Sequence, residues 1–312
     1  MVLFLQPVFK EKIWGGDKLR DFGYHIPSDK TGECWGIAAH ANGQSVVKNG
    51  NYKGKTLGEL WDKHRYLFGG IDGEQFPLLV KIIDANQDLS VQVHPGDEYA
   101  KIHENGELGK TECWYILECK EDGDIIYGTR AKNNKELNEM IDNGQWSKLL
   151  RSTAIKKGDF FYIQSGTVHA LKAGTLILEI QQNSDTTYRL YDYDRRDEEG
   201  NLRELHIEKS KDVIEVPFVE RQARPELIEK DNFIRTKFIE SPHFTVEKYD
   251  IKKEIVTENN HPFVLMSIIK GKGRIIVDRR IYPIIKGDHL MISSQVREFK
   301  LIGNISLIKS YL

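Results

Sequence analysis

Three short stretches decide the fold of this chain: S-V-Q-V-H-P-G-D-E-Y-A (90–100), G-K-T-E (109–112) and I-Q-S-G-T-V-H-A (163–170). Gln92 and His94 are two residues apart, so on a strand they project from the same face. Glu112 begins the apolar run E-C-W-Y-I-L, and His169 follows a further strand pattern and a tight turn at Gly166. Three separate strands thus supply two imidazoles, a carboxylate and an amide oxygen. This donor set predicts a site for a first-row metal ion inside a β-barrel.

The composition predicts a soluble, cytoplasmic protein. The chain has 312 residues, of which 39% are hydrophobic, and a formal net charge of −2. This charge, without basic stretches interleaved with aromatic residues, argues against a nucleic-acid partner. No apolar run is long enough to span a membrane, and the first residues lack the basic region of a signal peptide. Cys34, Cys113 and Cys119 have no zinc-finger spacing and are expected to be reduced thiols.

The periodicity of the apolar residues predicts a mostly β protein with few helices. Apolar residues with i, i+3, i+4 spacing predict a helix over residues 133–150. Thr56, with Glu59 three residues later, predicts a capping box at the start of a second helix over residues 56–64. Short strands separated by glycine-bearing turns indicate a barrel or sandwich. The strand candidates are residues 78–84, 89–94, 112–118, 124–127, 158–163 and 175–182.

An internal repeat indicates that the barrel is duplicated. The stretch I-K-K-G-D-F-F-Y-I-Q-S-G-T-V-H (155–169) aligns with I-I-K-G-D-H-L-M-I-S-S-Q-V-R-E (284–298), and both place K-G-D before a strand that ends in serine. Residues 263–277 are expected to form the opening hairpin of the second copy. Glu298 stands there in place of His169, and no Q-x-H pair precedes it. The second copy is therefore expected to have no metal site.

The order Q-x-H, E and G-x(5)-Q-x-G-x-x-H resembles the two motifs of the cupin superfamily, with Gln92 where many cupins have a histidine. Longer stretches resemble the type I mannose-6-phosphate isomerases, in particular their short bacterial form. These stretches are K-I-W-G-G (12–16), G-E-C-W (32–35), P-L-L-V-K-I-I-D-A-N-Q-D-L-S-V-Q-V-H-P (77–95), G-K-T-E-C-W-Y-I (109–116) and E-I-Q-Q-N-S-D-T-T-Y-R-L-Y-D-Y-D-R (179–195). The resemblance extends from about residue 7 to residue 206 and is weak beyond that point.

The resemblance implies an all-β bicupin, with two jelly-roll-like barrels and a few short helices. Residues 1–218 would form the catalytic domain with short helical insertions, and residues 219–312 a degenerate cupin domain without a metal site. Residues 219–226 are expected to link the two domains. The implied activity is the metal-dependent interconversion of mannose 6-phosphate and fructose 6-phosphate by proton transfer through an enediol. The partner would be this small sugar phosphate, bound by a monomer or homodimer.

The implied metal site holds one Zn²⁺ per chain. Its ligands would be Gln92, His94, Glu112 and His169. Iron and manganese also accept this donor set, so an Fe or Mn cupin oxidoreductase stays open as an alternative. A non-catalytic cupin that only binds a sugar phosphate is the second alternative.

Two further groups of residues are expected around the metal. Glu179 would be a general base if its strand lies beside that of His169; the alternative is a buried glutamate paired with a lysine. The resemblance makes Arg189 the active-site arginine that stabilises the charge of the enediolate. Ser90, Lys81 and Lys110 match the positions that bind the substrate phosphate in the family.

Overall fold

The computed structural model describes residues 1–197, 199–221 and 223–312. It is built mostly of strands with a few short helices, which confirms the predicted fold class. The strands of the first part of the chain are β1 (Val2–Gln6), β2 (Val8–Gly16), β3 (Thr31–Ile37), β4 (Ala39–His40), β5 (Gly43–Gln44), β6 (Val46–Val47), β7 (Leu78–Ala85), β8 (Val91–Val93), β9 (Glu112–Glu118), β10 (Asp124–Thr129), β11 (Leu150–Ala154), β12 (Phe160–Ile163), β13 (His169–Leu171), β14 (Thr175–Gln182) and β15 (Tyr188–Tyr191).

The later strands and the helices complete the elements of the described residues. The later strands are β16 (Glu226–Lys230), β17 (Phe233–Glu240), β18 (Thr245–Ile251), β19 (Glu254–Glu258), β20 (Phe263–Val277), β21 (Arg280–Ile285), β22 (His289–Ser293) and β23 (Glu298–Tyr311). The α-helices are α1 (Leu57–Lys63), α2 (Asp97–His103), α3 (Asn134–Asp142), α4 (Trp146–Leu149) and α5 (Ile207–Val213). Single 3₁₀ turns cover Lys18–Phe22, Gly50–Tyr52 and Arg65–Phe68.

Two antiparallel sheets face each other in the first part of the chain. One has the strand order β12-β9-β14-β7-β3-β2, and the other the order β11-β10-β13-β8-β15. Apolar side chains from both sheets, including Ile83, Trp114, Ile125 and Leu171, pack into one shared core. The strand pairings of the described residues leave both sheets open, so the arrangement is two facing sheets and not a closed barrel.

The six-stranded sheet is buried on both of its faces. Every residue of β7 and of β14 is buried, which explains why these strands read as almost continuous apolar runs. On the face away from the first core, Cys113 and Ile180 pack with Phe263 and Met291 of the C-terminal part. Cys113, next to Glu112 in the sequence, is thus a core residue.

A third sheet contains the C-terminal strands and also the first strand of the chain. Its order is β16-β17-β18-β23-β20-β22-β1-β6, with β19 on β23 and β21 on β20. Leu5 of β1 lies opposite His289 of β22. The N-terminal strand therefore completes the C-terminal sheet. The domain division at residues 218 and 219 stays a prediction, and the predicted linker 219–226 includes residue 222, which lies outside the described residues.

The two predicted helices are present, with one interruption. In α1 the Thr56 hydroxyl accepts a hydrogen bond from the backbone N–H of Glu59 at 3.1 Å, and the Glu59 carboxylate accepts one from the backbone N–H of Thr56 at 2.9 Å. This confirms the predicted capping box. The helix predicted over residues 133–150 is divided into α3 and α4, because Gly144 has the left-handed value φ = 61°. Helices α2 and α5 were not predicted.

The internal repeat corresponds to two turns of the same structure. Gly158 and Gly287 have φ values of 94° and 92°. An aspartate follows each glycine, and its carboxylate accepts a hydrogen bond from the backbone N–H of the residue three positions before the aspartate. The distance is 2.8 Å for Asp159 and 2.9 Å for Asp288. The shared K-G-D motif is therefore explained by one turn type that leads into a buried strand in each half.

The predicted hairpin within residues 263–277 is wrong. These residues form the single long strand β20. Gly271, with φ = 81°, follows a register shift in the pairing of β20 with β23, so the glycine bends the strand without reversing it. The chain reverses later, at Asp278 and Arg279, which have φ values of 48° and 65°.

We expect Gly36→Ala to lower the free energy of unfolding by about 1–3 kcal/mol, a typical cost of overpacking a core. A methyl group at Gly36 would overlap the ring of His289, which is held by the hydroxyls of Tyr24 at 2.9 Å and Ser267 at 2.8 Å. Urea denaturation of the single variants Gly36→Ala and His289→Ala and of the double variant measures the cost. The alanine should cost less when the imidazole is absent; an equal cost in both backgrounds would contradict this account.

Candidate active site

Three of the predicted metal ligands form one buried cluster. His94, Glu112 and His169 are each buried, and their donor atoms lie within 4.8 Å of one another. Nε2 of His94 is 3.5 Å from one carboxylate oxygen of Glu112, and Nε2 of His169 is 3.3 Å from the other. Glu112 begins β9, His169 begins β13, and His94 follows β8 directly. The cluster therefore joins strand ends from both facing sheets.

The fourth predicted ligand lies beside the cluster. Gln92 is directly opposite His169 in the pairing of β8 with β13, so the two side chains share a face of the sheet. The amide nitrogen of Gln92 is 3.2 Å from Nε2 of His169. Rotation of the amide group by about 180° would exchange its nitrogen and oxygen, so that the oxygen would lie where the nitrogen is now. The structure thus brings all four predicted ligands together.

The cluster fits a divalent metal ion on its own geometry. Nε2 of His94 and both oxygens of Glu112 are buried without a hydrogen-bond partner among the described residues. Buried polar atoms are normally hydrogen-bonded, so this group needs an explanation. Two ligand atoms about 2.1 Å from a tetrahedral metal are about 3.4 Å apart. The observed separations from Glu112 of 3.3 and 3.5 Å match that spacing.

Both histidines are neutral and therefore able to donate a lone pair. Burial lowers the pKa of His94 well below its usual value and that of His169 to about 3. Nδ1 of His169 donates to the carbonyl of Thr167 at 2.9 Å, which leaves Nε2 free to face Glu112. Burial and the nearby Glu179 raise the pKa of Glu112 to about 8. A bound cation would compensate this carboxylate.

Glu179 is connected to the cluster through a tryptophan. The indole N–H of Trp114 donates to one carboxylate oxygen of Glu179 at 3.0 Å, and the indole ring meets the His169 ring edge-on at 5.3 Å. The role of Glu179 as a base was made conditional on its strand lying beside that of His169. The strands do not meet this condition, because β14 lies between β7 and β9 while His169 belongs to the facing sheet. Glu179 still faces the site, because β9 places Trp114 directly opposite it.

Lys81 pairs with Glu179 inside the sheet. The two residues are directly opposite each other, and Nζ of Lys81 is 3.4 Å from the second carboxylate oxygen of Glu179. Although burial opposes the charge of the lysine, Glu179 and Glu33 raise the pKa of Lys81. The lysine pairing that was the alternative for Glu179 is therefore present, and it coexists with the contact to Trp114.

Arg189 lies in line with the predicted ligands. It is opposite Gln92 in the pairing of β15 with β8, so Arg189, Gln92 and His169 form one row on a sheet face. One guanidinium nitrogen of Arg189 donates to the carbonyl of Glu204 at 2.6 Å. Nε of Arg189 is buried without a partner among the described residues. This N–H is therefore a buried donor that no acceptor among the described residues uses.

The three residues predicted to bind phosphate are all buried near the cluster. Nζ of Lys110 is 3.5 Å from Glu112. Ser90 is buried two residues before Gln92, and Lys81 is the partner of Glu179. The structure therefore places two ammonium groups and one hydroxyl-bearing residue around the candidate metal centre.

Two residues of the site were missed by the sequence analysis. The first is Trp114. Its position two residues after Glu112, on the same face of the strand, is the sequence feature that could have identified it. Asp185 is the other; although burial opposes its charge, Lys81 and Lys110 hold the pKa of Asp185 below its usual range. Its signal was its position within the 179–195 stretch, four residues before Arg189.

These features define a β-sheet protein of the cupin type with a buried candidate metal centre. Residues 2–122 match the family described as phosphomannose isomerase type I, catalytic domain, and residues 234–312 match the mannose-6-phosphate isomerase cupin domain. None of the described helices has the length and apolar content that crossing a membrane requires.

Relatives and a solved structure agree with these matches. The chain is 57% identical over 310 residues to mannose-6-phosphate isomerase ManA of Bacillus subtilis, covering 99% of this chain and 98% of the relative. It is 49% identical over 310 residues to mannose-6-phosphate isomerase of Streptococcus mutans, with the same coverage of 99% and 98%. A crystal structure of mannose 6-phosphate isomerase from Bacillus subtilis superposes with a TM-score of 0.97 at 49% identity, covering 100% of this chain and 99% of that one. The chain therefore belongs to the type I mannose-6-phosphate isomerase family.

We expect His94→Ala and His169→Ala each to lose bound metal and catalytic activity together, because each removes one of the clustered donor atoms. Metal content per chain, measured by mass spectrometry after expression with zinc, checks this. His25→Ala, at an exposed histidine, is the control and should keep its metal. The fold should survive, since its cores are apolar, and circular dichroism tests that. Stoichiometric metal in both variants would contradict the ligand set.

Proposed function

We propose that this chain interconverts mannose 6-phosphate and fructose 6-phosphate, moving a proton between C1 and C2 of the sugar through an enediol. One observation carries the proposal: the cluster of His94, Glu112 and His169 lies beside a carboxylate and an arginine that each have a buried atom without a hydrogen bond among the described residues. Membership of the isomerase family supports it. Neither the oxidoreductase nor the non-catalytic alternative is favoured, because the relatives over the whole chain are isomerases.

We propose Zn²⁺ as the metal, one ion per chain, held by Gln92, His94, Glu112 and His169. Two neutral imidazoles and a carboxylate suit zinc, and an aldose–ketose isomerisation leaves the oxidation state of the metal unchanged. When bound, zinc would polarise the substrate oxygens and hold them in position. The row of Gln92 and His169 with Arg189 supports a substrate that lies along this sheet face.

Glu179 is proposed to move the proton between C1 and C2. One of its oxygens is fixed by Trp114, and the other is buried without a hydrogen bond. A carboxylate oriented in this way has a free lone pair in a fixed direction, which a general base requires. Arg189 is proposed to stabilise the negative charge that develops on the substrate oxygen, through its unpaired Nε–H.

Ser90, Lys81 and Lys110 are proposed to bind the substrate phosphate. The nearest carboxylate oxygens lie 3.4 Å from Nζ of Lys81 and 3.5 Å from Nζ of Lys110, longer than strong charge-assisted hydrogen bonds. Donors on both ammonium groups thus remain available for phosphate oxygens. A buried phosphate would in turn compensate charges that are costly to bury alone.

The state of the cysteines bears on where the enzyme works. The cysteines Cys34, Cys113 and Cys119 are all free, which supports a reducing, cytoplasmic location. A monomer or homodimer is proposed, with the sugar phosphate as the small-molecule partner.

A coupled assay for the conversion of fructose 6-phosphate to mannose 6-phosphate tests the function. We expect turnover with the purified chain, its loss with a chelator and its return with added zinc. Oxygen uptake is measured in parallel. Binding of fructose 6-phosphate without turnover would favour the non-catalytic alternative, and oxygen consumption would favour the oxidoreductase.

Lys110→Ala should mainly raise the KM for mannose 6-phosphate and affect unphosphorylated mannose little, because a contact to the phosphate binds the ground state and the transition state alike. Steady-state kinetics on both sugars measures this. Zinc content must be checked, since Lys110 also contacts Glu112. Lys101→Ala, at an exposed lysine of α2, is the matched control. Equal losses on both sugars would place Lys110 at the reacting end.

Glu179→Gln should lower kcat by about 10²–10⁴-fold, the range typical of a lost acid–base group, while zinc stays bound. Glutamine keeps the volume of the side chain but cannot accept the proton. Exchange of the C2 hydrogen of mannose 6-phosphate with deuterated water should fall together with turnover. Glu118→Gln, at the exposed end of β9, serves as the control. Exchange at the normal rate would reduce Glu179 to a structural partner of Lys81.

Arg189→Ala should lower kcat by about 10²–10³-fold, the usual effect of removing one charge-stabilising donor. The zinc content should not change, because arginine is not a ligand. Arg297→Ala, at an exposed arginine, is expected to behave like the wild type. A change confined to KM would mean that Arg189 binds the substrate without serving the transition state.

A further inference from the structure

The C-terminal sheet carries a second group of buried charges. Glu247 of β18 is directly opposite Lys309 of β23, and Nζ of Lys309 is 3.3 Å from a carboxylate oxygen of Glu247. Their side chains are 1% and 5% exposed. Nε of Arg235 donates to the other oxygen of Glu247 at 3.0 Å, and the Tyr249 hydroxyl donates to the first at 3.1 Å. We call Arg235, Glu247, Tyr249 and Lys309 the C-terminal charged cluster.

This cluster lines a cavity of about 460 Å³ at one end of the C-terminal core. The volume is in the range of sites for small molecules. Tyr311 and His261 also line it, with their rings stacked at a centroid distance of 3.6 Å and an angle of 27°. The cavity thus combines aromatic surface with buried charge.

Both carboxylate oxygens of Glu247 have partners within the cluster, whereas Lys309 has one. Glu247 has three partners, as described above. The ammonium group of Lys309 has three donors, yet among the described residues its ionic partner is Glu247 alone. Its other neighbours are the ring faces of Tyr311 at 4.7 Å and Tyr249 at 5.8 Å. Burial lowers the pKa of Lys309, as expected of a cation that lacks sufficient compensation.

One polar group in the cavity has no hydrogen-bond partner among the described residues. The hydroxyl oxygen of Thr257, which lines the cavity, is buried and is this group. An arrangement that served only stability would not leave the hydroxyl unused, because an unpaired buried polar group costs free energy. The ammonium group of Lys309, with Glu247 as its ionic partner, lines the same cavity. Both groups can hydrogen-bond to the oxygens of an anion.

The net charge of the cavity determines whether its ligand is an anion or a cation. The cavity is lined by three cations and two carboxylates, so one positive charge remains: Lys230, Arg235 and Lys309 against Glu247 and Glu258. Of these residues, Glu247 and Lys309 are buried. A metal cation is disfavoured by this balance. From the geometry we propose that the cavity is a second binding site, which accepts the phosphate or carboxylate group of a small organic anion at Lys309 and Thr257. The organic part of the ligand packs against Tyr311 and His261.

The site is independent of the proposed isomerase activity. It lies on the inner face of the C-terminal sheet, and none of its residues belongs to the candidate active site. It also gives a role to the half of the chain in which the described residues show no metal cluster. Failure of this proposal would leave the isomerase assignment intact, and the reverse also holds.

The imidazole of His261 is a local reporter for the test. Protein with ¹³C-labelled histidine is titrated with inorganic phosphate, and in a second arm with citrate, against chloride at equal ionic strength. The His261 resonance is identified by its loss in His261→Gln. We expect a saturable shift with at least one of the two anions, and the arm with the tighter binding identifies the anionic group. Activity with fructose 6-phosphate is measured in parallel.

Lys309→Met should raise the dissociation constant of the anion by about 10–100-fold, the effect of losing a hydrogen bond to a charged group. Lys300→Met, on the same strand but paired with Glu254 at a partly exposed position, should leave it unchanged. Thr257→Val keeps every charge and tests the site if Lys309→Met does not fold; it should weaken binding several-fold. A shift equal to that with chloride, or full binding by both Lys309→Met and Thr257→Val, would overturn the proposal.

Discussion

Compensation of buried charge across the strands of the six-stranded sheet is the constraint on which this structure depends. Lys81, in the middle of a strand that is buried on both faces, keeps its charge because Glu179 is directly opposite and Glu33 is near. Lys81 also helps to keep the pKa of the buried Glu33 below its usual value, against the effect of burial. Removal of one partner of such a buried pair costs about 3–5 kcal/mol. The register of the strands and the geometry of the site are therefore fixed by the same contacts.

Near the metal cluster this compensation is incomplete. Glu112 has Lys110, His94 and His169 around it, but none of them forms a hydrogen bond to it of good length. The sheets hold these groups in place through apolar packing, at a cost in free energy that a bound cation would offset. The surrounding core thus holds the donor atoms of the candidate metal site in a fixed arrangement.

Much of the site could be predicted from the sequence because its residues mark the ends of strands. The bounds predicted for β9 and β14 agree with the structure, and the spacing of Gln92 and His94 placed them on one face correctly. The partners of a strand are harder to predict. The contact of Trp114 with Glu179 depends on which strands become neighbours, and that is decided by the packing of whole sheets.

In the C-terminal half of the chain, too, local features could be predicted from the sequence but strand partners could not. Its repeated turn at Gly287 was recognised from three residues, because a left-handed glycine and the following aspartate have a local cause. The predicted hairpin failed at Gly271, where the same residue type bends a strand. Whether a glycine forms a turn or bends a continuous strand depends on the strand that pairs with this part of the chain. The inner charges of this half, such as Lys309, are likewise brought together by pairing between distant parts of the chain.

The position of β1 in the C-terminal sheet has a consequence for synthesis of the protein. Val2–Gln6 can pair early with β6, which is near it in the sequence, but its other neighbour, β22, begins at His289. During translation one edge of this strand therefore stays open until β22 has been synthesised. Contacts of such long sequence separation form slowly. The strand β1 thus gains its full set of hydrogen bonds only after β22, a strand more than 280 residues later in the sequence, is available to pair with it.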